Sequence, residues 1–238
     1  MNSLPSLTVV LPAYLEEKTI VESVHRLIEV LDGAQINFFL RLIVDGPGDR
    51  TAEFAKTIND SRLTIFELER NVGKGRALRT GMSSCNTEFV GFIDADLDLH
   101  PEGLVEAYKT LIASDMTVAG VLGSKVHPDS QVGYPALRRI FSHVYRLFVK
   151  AMFSMSIEDT QTGLKVFRQS EIEKVLSSVR CDGFAFDLEL LARMSRNGSV
   201  FCSVPIELDF QFNSAVNLRS IVKMIRDTLY VAFAIRRT

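Results

Sequence analysis

The sequence predicts an α/β fold: a Rossmann-like, mostly parallel central sheet with helices on both faces, followed by an amphipathic C-terminal helix. Two observations predict it. Strand-like runs and helix-like periods alternate through the first half of the chain, the pattern of strands joined by crossover helices. The informative loops, at residues 12–17, 45–50, 70–74 and 94–100, then fall at the carboxyl ends of those strands, where open sheets of this class bind ligands. At 238 residues, 47% hydrophobic and 24% charged, the chain has the size and balance for one sizeable core. The expected organisation is one catalytic-sized domain over residues 1–217 and a tail helix over 218–238.

Taken in order, residues 7–11 form a short apolar, β-rich run, and 16–31 carry Ile20, Val24, Leu27, Ile28 and Leu31 at helical spacing. Residues 38–44 read as a strand, 51–58 as a helix, 63–68 as a strand, 75–82 as a helix and 89–93 as the central strand. Pro101 stands early in a helix ending at residue 112, a position that suits Pro, and 116–122 is a further strand. The segment 123–135, rich in Gly, Pro, Ser and Asp, is long enough for a flexible lid. Residues 137–153 make a helix with an apolar stripe (Leu137, Ile140, Val144, Leu147, Ala151) and a basic one (Arg139, His143, Arg146, Lys150). A strand at 164–167, a helix at 170–177 capped by Ser170, a helix at 186–195, an edge strand at 200–210 containing Pro205 and an amphipathic helix at 218–235 complete the chain.

Composition narrows the setting. Three cysteines, Cys85, Cys181 and Cys202, without a C-x-x-C pair indicate neither a disulfide framework nor a zinc site, so a reducing cytoplasm is expected. No leader is expected, because Leu4, Pro5, Ser6 and Leu7 run into a strand without a basic flank, and no stretch approaches the roughly 18 apolar residues of a spanning helix. The net charge of −2 hides an asymmetry: residues 1–136 hold 12 basic against 19 acidic side chains, residues 137–238 hold 15 against 10. A basic C-terminal part suits an anionic acceptor or surface, or simply solvated helix faces.

Chemistry concentrates at Asp94, Asp96 and Asp98, which follow the apolar run Gly91, Phe92, Ile93. Alternation in an extended backbone would put the three carboxylates on one face. Three hard oxygen ligands at a strand end suit Mg2+ or Mn2+, which keep waters and bridge to substrate phosphates, so a diphosphate is the expected partner. The alternative is an acidic turn in solvent. Asp45, in the turn Asp45-Gly46-Pro47-Gly48-Asp49, could accept from a nucleotide, or the turn could simply be capped by Asp49. In Asn71-Val72-Gly73-Lys74-Gly75 the glycines permit close approach, the helix start favours an anion, and Lys74 could reach a phosphate. Neither a Walker A loop nor a G-x-G-x-x-G after a strand is present, and nothing points to nucleic acid.

In this order, these stretches resemble the inverting family 2 glycosyltransferases of GT-A fold. Residues 12–17 (PAYLEE), 45–51 and Asp94-Ala95-Asp96 match the family's opening loop, Asp-Gly turn and metal motif. Residues 71–82 (NVGKGRALRTGM), 159–167 (DTQTGLKVF) and 186–191 (FDLELL) are similar to its polyprenyl-phosphate branch, which includes dolichyl-phosphate glucosyltransferases and mannosyltransferases. The resemblance implies transfer of glucose or mannose from UDP-glucose or GDP-mannose to a polyprenyl phosphate. It places the nucleotide sugar at Pro12, Tyr14, Glu16, Asp45, Lys74, Asp94, Ala95 and Asp96, and the metal at Asp94, Asp96 and Asp98. The acceptor phosphate falls to Lys125, Arg138 and Ser142, with Asp96, Asp98 and Arg138 carrying catalysis. Asp159 and Gln161 would contact sugar hydroxyls or support their loop. Three positions depart from the family: Leu15 where Asn is usual, Val44 where a second Asp is usual, and Asp98 where many relatives have Gln. The first two lie at the expected nucleotide pocket.

With no spanning helix, contact with a lipid acceptor would come from the stripes at 137–153 and 218–235, the latter through Arg219, Lys223 and Arg226, on the cytoplasmic face of an anionic membrane. The competing expectation is that they pack on the domain or on a second subunit of a homo-oligomer. A soluble or polysaccharide acceptor, or a non-catalytic nucleotide-sugar-binding scaffold, are the other functional classes.

Overall fold

In a computed structural model the chain is described over residues 5–133, 136–153, 157, 159–208 and 218–236, without the side chains of 136–141, 218–223 and 236. Seven strands form one sheet: β1 (Ser6–Ala13), β2 (Asn37–Val44), β3 (Leu63–Glu67), β4 (Phe89–Ile93), β5 (Val118–Ser124), β7 (Leu164–Arg168) and β8 (Val200–Pro205), in the order β3-β2-β1-β4-β7-β5-β8. A two-stranded parallel pair, β6 (Gln131–Val132) with β9 (Glu207–Leu208), lies apart from it. All pairings in the large sheet are parallel except those of β7, which runs antiparallel to both β4 and β5.

Each face is covered by helices whose apolar stripe fits the sheet. α1 (Ile20–Gly33) buries Ile20, Val24, Leu27 and Leu31; each such side chain contributes about 1.5–3 kcal/mol relative to exposure. α2 (Thr51–Ala55) and α4 (Glu102–Ala113) share that face, Ala52, Ala55, Leu104, Tyr108 and Leu111 joining the same core. The other face carries α3 (Lys74–Met82), α6 (Gln169–Leu176) and α7 (Phe186–Arg196) through Leu78, Met82, Ile172, Phe186 and Leu190. α5 (Ala136–Phe153) and α8 (Leu218–Arg236) form a third layer on α7, with Val149, Val231 and Ile235 packed on Ala185, Leu188 and Ala192. The Tyr145 hydroxyl pairs with that of Thr228 at 2.8 Å. The C-terminal helix therefore packs on the domain, one of the two roles expected for it.

Local differences from the sequence expectation have local causes. α1 starts at Ile20 rather than Glu16, because the Glu16 carbonyl closes a turn by accepting from Thr19 and Ile20 N–H. α2 stops at Ala55. Ser170 lies inside α6 and does not cap it; Arg168 stands at the cap position without a side-chain bond. β8 ends at Pro205 instead of running to 210, although it is the sheet edge expected of a proline-containing strand. The segment read as a flexible lid is tied down as far as Val132, which pairs with Leu208. Gln131 N–H donates to the Ile206 carbonyl, Ile206 N–H donates to the Ser130 hydroxyl, and that hydroxyl donates to the Ser124 carbonyl.

Candidate active site

After β1 the chain turns to β2 and β3 on one side, then crosses back to β4 on the other side of β1. The loops leaving β1 and β4 therefore diverge and open a crevice at the carboxyl edge, the place where such sheets bind ligands.

The acidic stretch lies in that crevice, but not as an extended strand. β4 stops at Ile93; Leu97 N–H returns to the Asp94 carbonyl at 3.2 Å, and Leu97 adopts a left-handed φ of 49°. Asp96 Oδ1 accepts from Asp98 N–H at 3.2 Å. The expected alternation of Asp94, Asp96 and Asp98 on one strand face is thus replaced by a turn, which an Asp-rich sequence favours by bonding its own backbone. The carboxylates still act on one another. Although Asp96 reaches solvent, desolvation in the crevice and the charges of Asp94 and Asp98 push its pKa up to about 6. Burial, with Asp49, Asp98 and Asp94 nearby, raises that of Glu16 as well. Ala95 is buried in the core, so only its backbone is available to a donor.

Lys74 meets this charge. Its ammonium lies 2.5 Å from Asp94 Oδ1. Burial opposes the charge on Lys74, but Asp94 and Asp187 outweigh it and hold the pKa above the usual lysine range. The loop before it is fixed by Asp45, which is 3% exposed and accepts from Val72 and Gly73 N–H, both at 2.8 Å. Asp45 thus supports the Lys74 loop, while each of its oxygens keeps a further acceptor site for the nucleotide contact expected of it. The anion site expected at the start of α3 is filled too: Gly75 and Arg76 N–H donate to the Asp182 carbonyl at 2.9 and 3.2 Å. Gly73, at φ 108°, and Gly46, at φ 92°, make the close approaches that only glycine allows; a Cβ on Gly46 would lie 2.3 Å from Asn71 N.

The opening loop presents Tyr14 and Leu15, 44% and 54% exposed, over Gly48, where a Cβ would meet Leu15 Cδ2 at 2.7 Å and Tyr14 Cε2 at 3.1 Å. Leu15 holds φ 61°, a left-handed conformation that Asn adopts more easily than Leu. Pro12, next to last in β1, is half-buried and pairs in register with Ile43. Val44 is buried in the core, so where Asp is usual this chain packs an apolar side chain. Asp49 accepts from Thr51 N–H and hydroxyl and from Glu17 N–H, the capping role that was the plainer expectation for this turn.

Asp159 is nearly buried and accepts from Lys125 N–H (2.9 Å), the Thr162 hydroxyl (2.7 Å) and Gln161 N–H (3.2 Å). Burial opposes its ionisation, yet Lys125 and these donors keep its pKa below the carboxylate range. Of its two expected roles the structure fills the supporting one. Gln161 keeps a buried, unbonded Nε2. Lys125 directly follows β5 and Ser142 lies on α5, both half-buried; the side chain of Arg138, also on α5, lies outside the described residues. A cavity of about 570 Å3 opens beside Ser124 and Asp159 and extends to Arg196 and Ser203.

Sequence reasoning missed the pair beneath the crevice. Lys165, fully buried as the second residue of β7, donates to the Thr162 carbonyl, stands 3.4 Å from Asp187 Oδ1, and lies 5.0 Å from the Phe92 ring centre. Burial pushes Lys165 down and Asp187 up in pKa, against their mutual attraction. A lone lysine in an apolar strand was the available signal. Gly163 was missed likewise: a Cβ there would lie 2.0 Å from Asp94 Oδ2.

The profile of glycosyl transferase family 2 matches residues 8–176. The chain belongs to that family. It is 27% identical to glycosyltransferase AglD of Haloferax volcanii over 97% of this chain and 36% of AglD. It is 30% identical to the dolichyl-phosphate beta-glucosyltransferase of Drosophila melanogaster over 78% of this chain and 61% of that protein. The chain thus spans about a third and about three fifths of these two relatives. A glucosyl-3-phosphoglycerate synthase from Mycobacterium tuberculosis, solved with Mn2+, UDP-glucose and phosphoglyceric acid, superposes with a TM-score of 0.71 over 96% of this chain and 78% of that one, at 22% identity. Mannosyl-3-phosphoglycerate synthase from Rubrobacter xylanophilus gives 0.72 over 98% and 74%, at 18% identity. The α/β fold expected from the sequence, and membership of the glycosyltransferases, are both established.

Proposed function

We propose that this glycosyltransferase moves a hexosyl group, glucose in preference to mannose, from a nucleoside diphosphate sugar to a polyprenyl phosphate with inversion, assisted by Mg2+ or Mn2+. One observation carries it: an acidic turn answered by Lys74 at the sheet's crevice, in a chain related to dolichyl-phosphate glucosyltransferases. The residues fit a divalent cation in an open site. Asp94, Asp96, Asp98 and Glu16 crowd negative charge that raises the pKa of Asp96 and Glu16. Among the described residues no three His, Cys, Asp or Glu side chains are gathered into a metal site, so diphosphate and water would have to complete a site that carboxylates of the turn begin, as Mg2+ commonly requires.

Asp94, Asp96 and Asp98 would hold the ion, which when bound neutralises charge developing on the leaving diphosphate. Lys74 adds a cation beside the same group. Tyr14 and Leu15 would offer an apolar surface to the nucleobase, and Glu16 would contact the nucleotide sugar. An acceptor phosphate monoester has a second pKa near ~6, so its attacking oxygen is already anionic and needs no strong base. Asp159, bonded on both oxygens, is consistent with that. Lys125, Arg138 and Ser142 would position the acceptor through charge-assisted hydrogen bonds.

Access to a lipid would come from the outer layer. No described helix is long and apolar enough to cross a membrane. On α8, Ile225, Leu229, Tyr230 and Phe233 remain exposed opposite the packed face, and on α5 so do Val144 and Leu147. An apolar stripe beside Arg226 and Lys150 suits the interface of an anionic bilayer. A soluble phosphorylated acceptor is the second reading, favoured by the neighbours of the same fold solved with phosphoglyceric acid. A matrix of UDP-glucose and GDP-mannose against polyprenyl phosphate and phosphoglycerate, with and without Mn2+, separates the two; transfer to phosphoglycerate alone would refute the lipid acceptor.

A further inference from the structure

We infer that Lys74 is a resident counter-ion that makes metal binding at the acidic turn conditional on the donor: it neutralises Asp94 before the donor arrives, then gives its charge to the diphosphate as donor and cation enter together. The inference rests on the donor and metal reading above and assigns Lys74 a role in the order of binding.

The geometry points to this in four steps. Lys74 Nζ stands 2.5 Å from Asp94 Oδ1, and that oxygen is buried. Asp94 cannot turn away from it, because its N–H donates to the Gly163 carbonyl at 3.1 Å and Oδ2 lies against the Gly163 backbone, where even a methyl group would overlap it. The neighbouring buried lysine offers no substitute, since Lys165 is engaged by the Thr162 carbonyl and by Asp187. Lys74 is itself held in place, with Asp45 fixing the Val72 and Gly73 amides before it and Asp182 fixing the Gly75 and Arg76 amides after it. An ammonium so placed repels a bare divalent cation at Asp94 and attracts a diphosphate at the same spot. The two ligands therefore help each other, and the coupling is reciprocal.

The test measures Mn2+ binding by electron paramagnetic resonance or calorimetry, with and without UDP, on the whole protein. In the wild type UDP should tighten Mn2+ at least about 30-fold, within the usual range of such couplings. In Lys74→Gln, Mn2+ alone should bind about 5-fold tighter while UDP in saturating Mn2+ binds about 10-fold weaker. Lys74→Arg, which keeps the charge, should retain the coupling within about threefold. If Lys74→Gln leaves both affinities unchanged, or weakens bare Mn2+, the inference is wrong although the donor reading stands. If the wild type binds neither UDP nor Mn2+, the donor reading fails first. Should the Gln variant not fold, the Arg variant decides, since loss of coupling with charge retained contradicts the inference and retention supports it.

Discussion

Replacing Gly163 by alanine adds one methyl group where the site has no room. Its Cβ would stand 2.0 Å from Asp94 Oδ2 and 2.5 Å from Asp94 Cγ. Restoring an ordinary contact needs the carboxylate to retreat by roughly 1 Å or more, and Lys74 holds it from the other side at 2.5 Å. Overpacking of this kind costs about 1–3 kcal/mol. At about 2–4 °C per kcal/mol for a domain of this size, that lowers Tm by roughly 2–12 °C. Function should suffer more, because a displacement of about 1 Å at a reacting centre can cost about 100-fold in rate. Gly163→Ala should therefore remain folded by circular dichroism, bind Mn2+ and UDP more weakly, and lose about two orders of magnitude in kcat/KM. Wild-type turnover with a wild-type Mn2+ requirement would refute the placement of Asp94 against Gly163.

Asp45→Asn keeps one acceptor for two half-buried N–H donors, and hydrogen bonds to charged groups are worth about 1.5–3 kcal/mol each; thermal denaturation should show a loss of that size, together with weaker UDP binding through the displaced Lys74 loop. Lys165→Met strands Asp187 in the core and should cost about 3–5 kcal/mol, whereas the double variant Lys165→Met with Asp187→Leu should be more stable than Lys165→Met alone; a denaturant series decides. Asp96 has a folded pKa raised to about 6 from 3.8, so between those values the folded protein binds more protons than the unfolded chain. Its contribution to stability is then lost as pH rises from about 4 to about 6, and Mn2+ affinity rises over the upper part of that window as the carboxylate ionises. Asp96→Asn should raise the metal-free Tm at neutral pH, remove that pH dependence and abolish transfer. Finally, Leu229→Ser with Phe233→Ser should reduce co-sedimentation with anionic vesicles at low salt, and a wild type that stays in the supernatant would refute membrane docking through α8.

The strands and helices were legible because each buried face has a clean period: Ile20, Val24, Leu27 and Leu31 declare α1, and Phe89 to Ile93 declares β4. The acidic turn and Lys74 were legible as chemistry, since carboxylates after a buried strand and a lysine between glycines carry a meaning at short range. What stayed hidden depends on distant contacts. Asp45 could equally have faced a nucleotide; only the Val72 and Gly73 amides, nearly thirty residues on, reveal it as a support. Lys165 and Asp187 are 22 residues apart and meet only because β7 runs antiparallel beside β4 while α7 covers that face. The turn at Asp94 departs from the extended alternation the sequence suggests because period alone does not register where a strand ends, and the left-handed Leu97 has no sequence signature.

The most direct measurement is single-turnover transfer from radiolabelled UDP-glucose to a short-chain polyprenyl phosphate, with Mn2+ present or removed by chelator. Lipid-linked glucose should form only with Mn2+, and Asp96→Asn should form none. Equal product in excess chelator, or glucose transferred to phosphoglycerate and never to the lipid, would contradict a metal-assisted glycosyltransferase that acts on a polyprenyl phosphate.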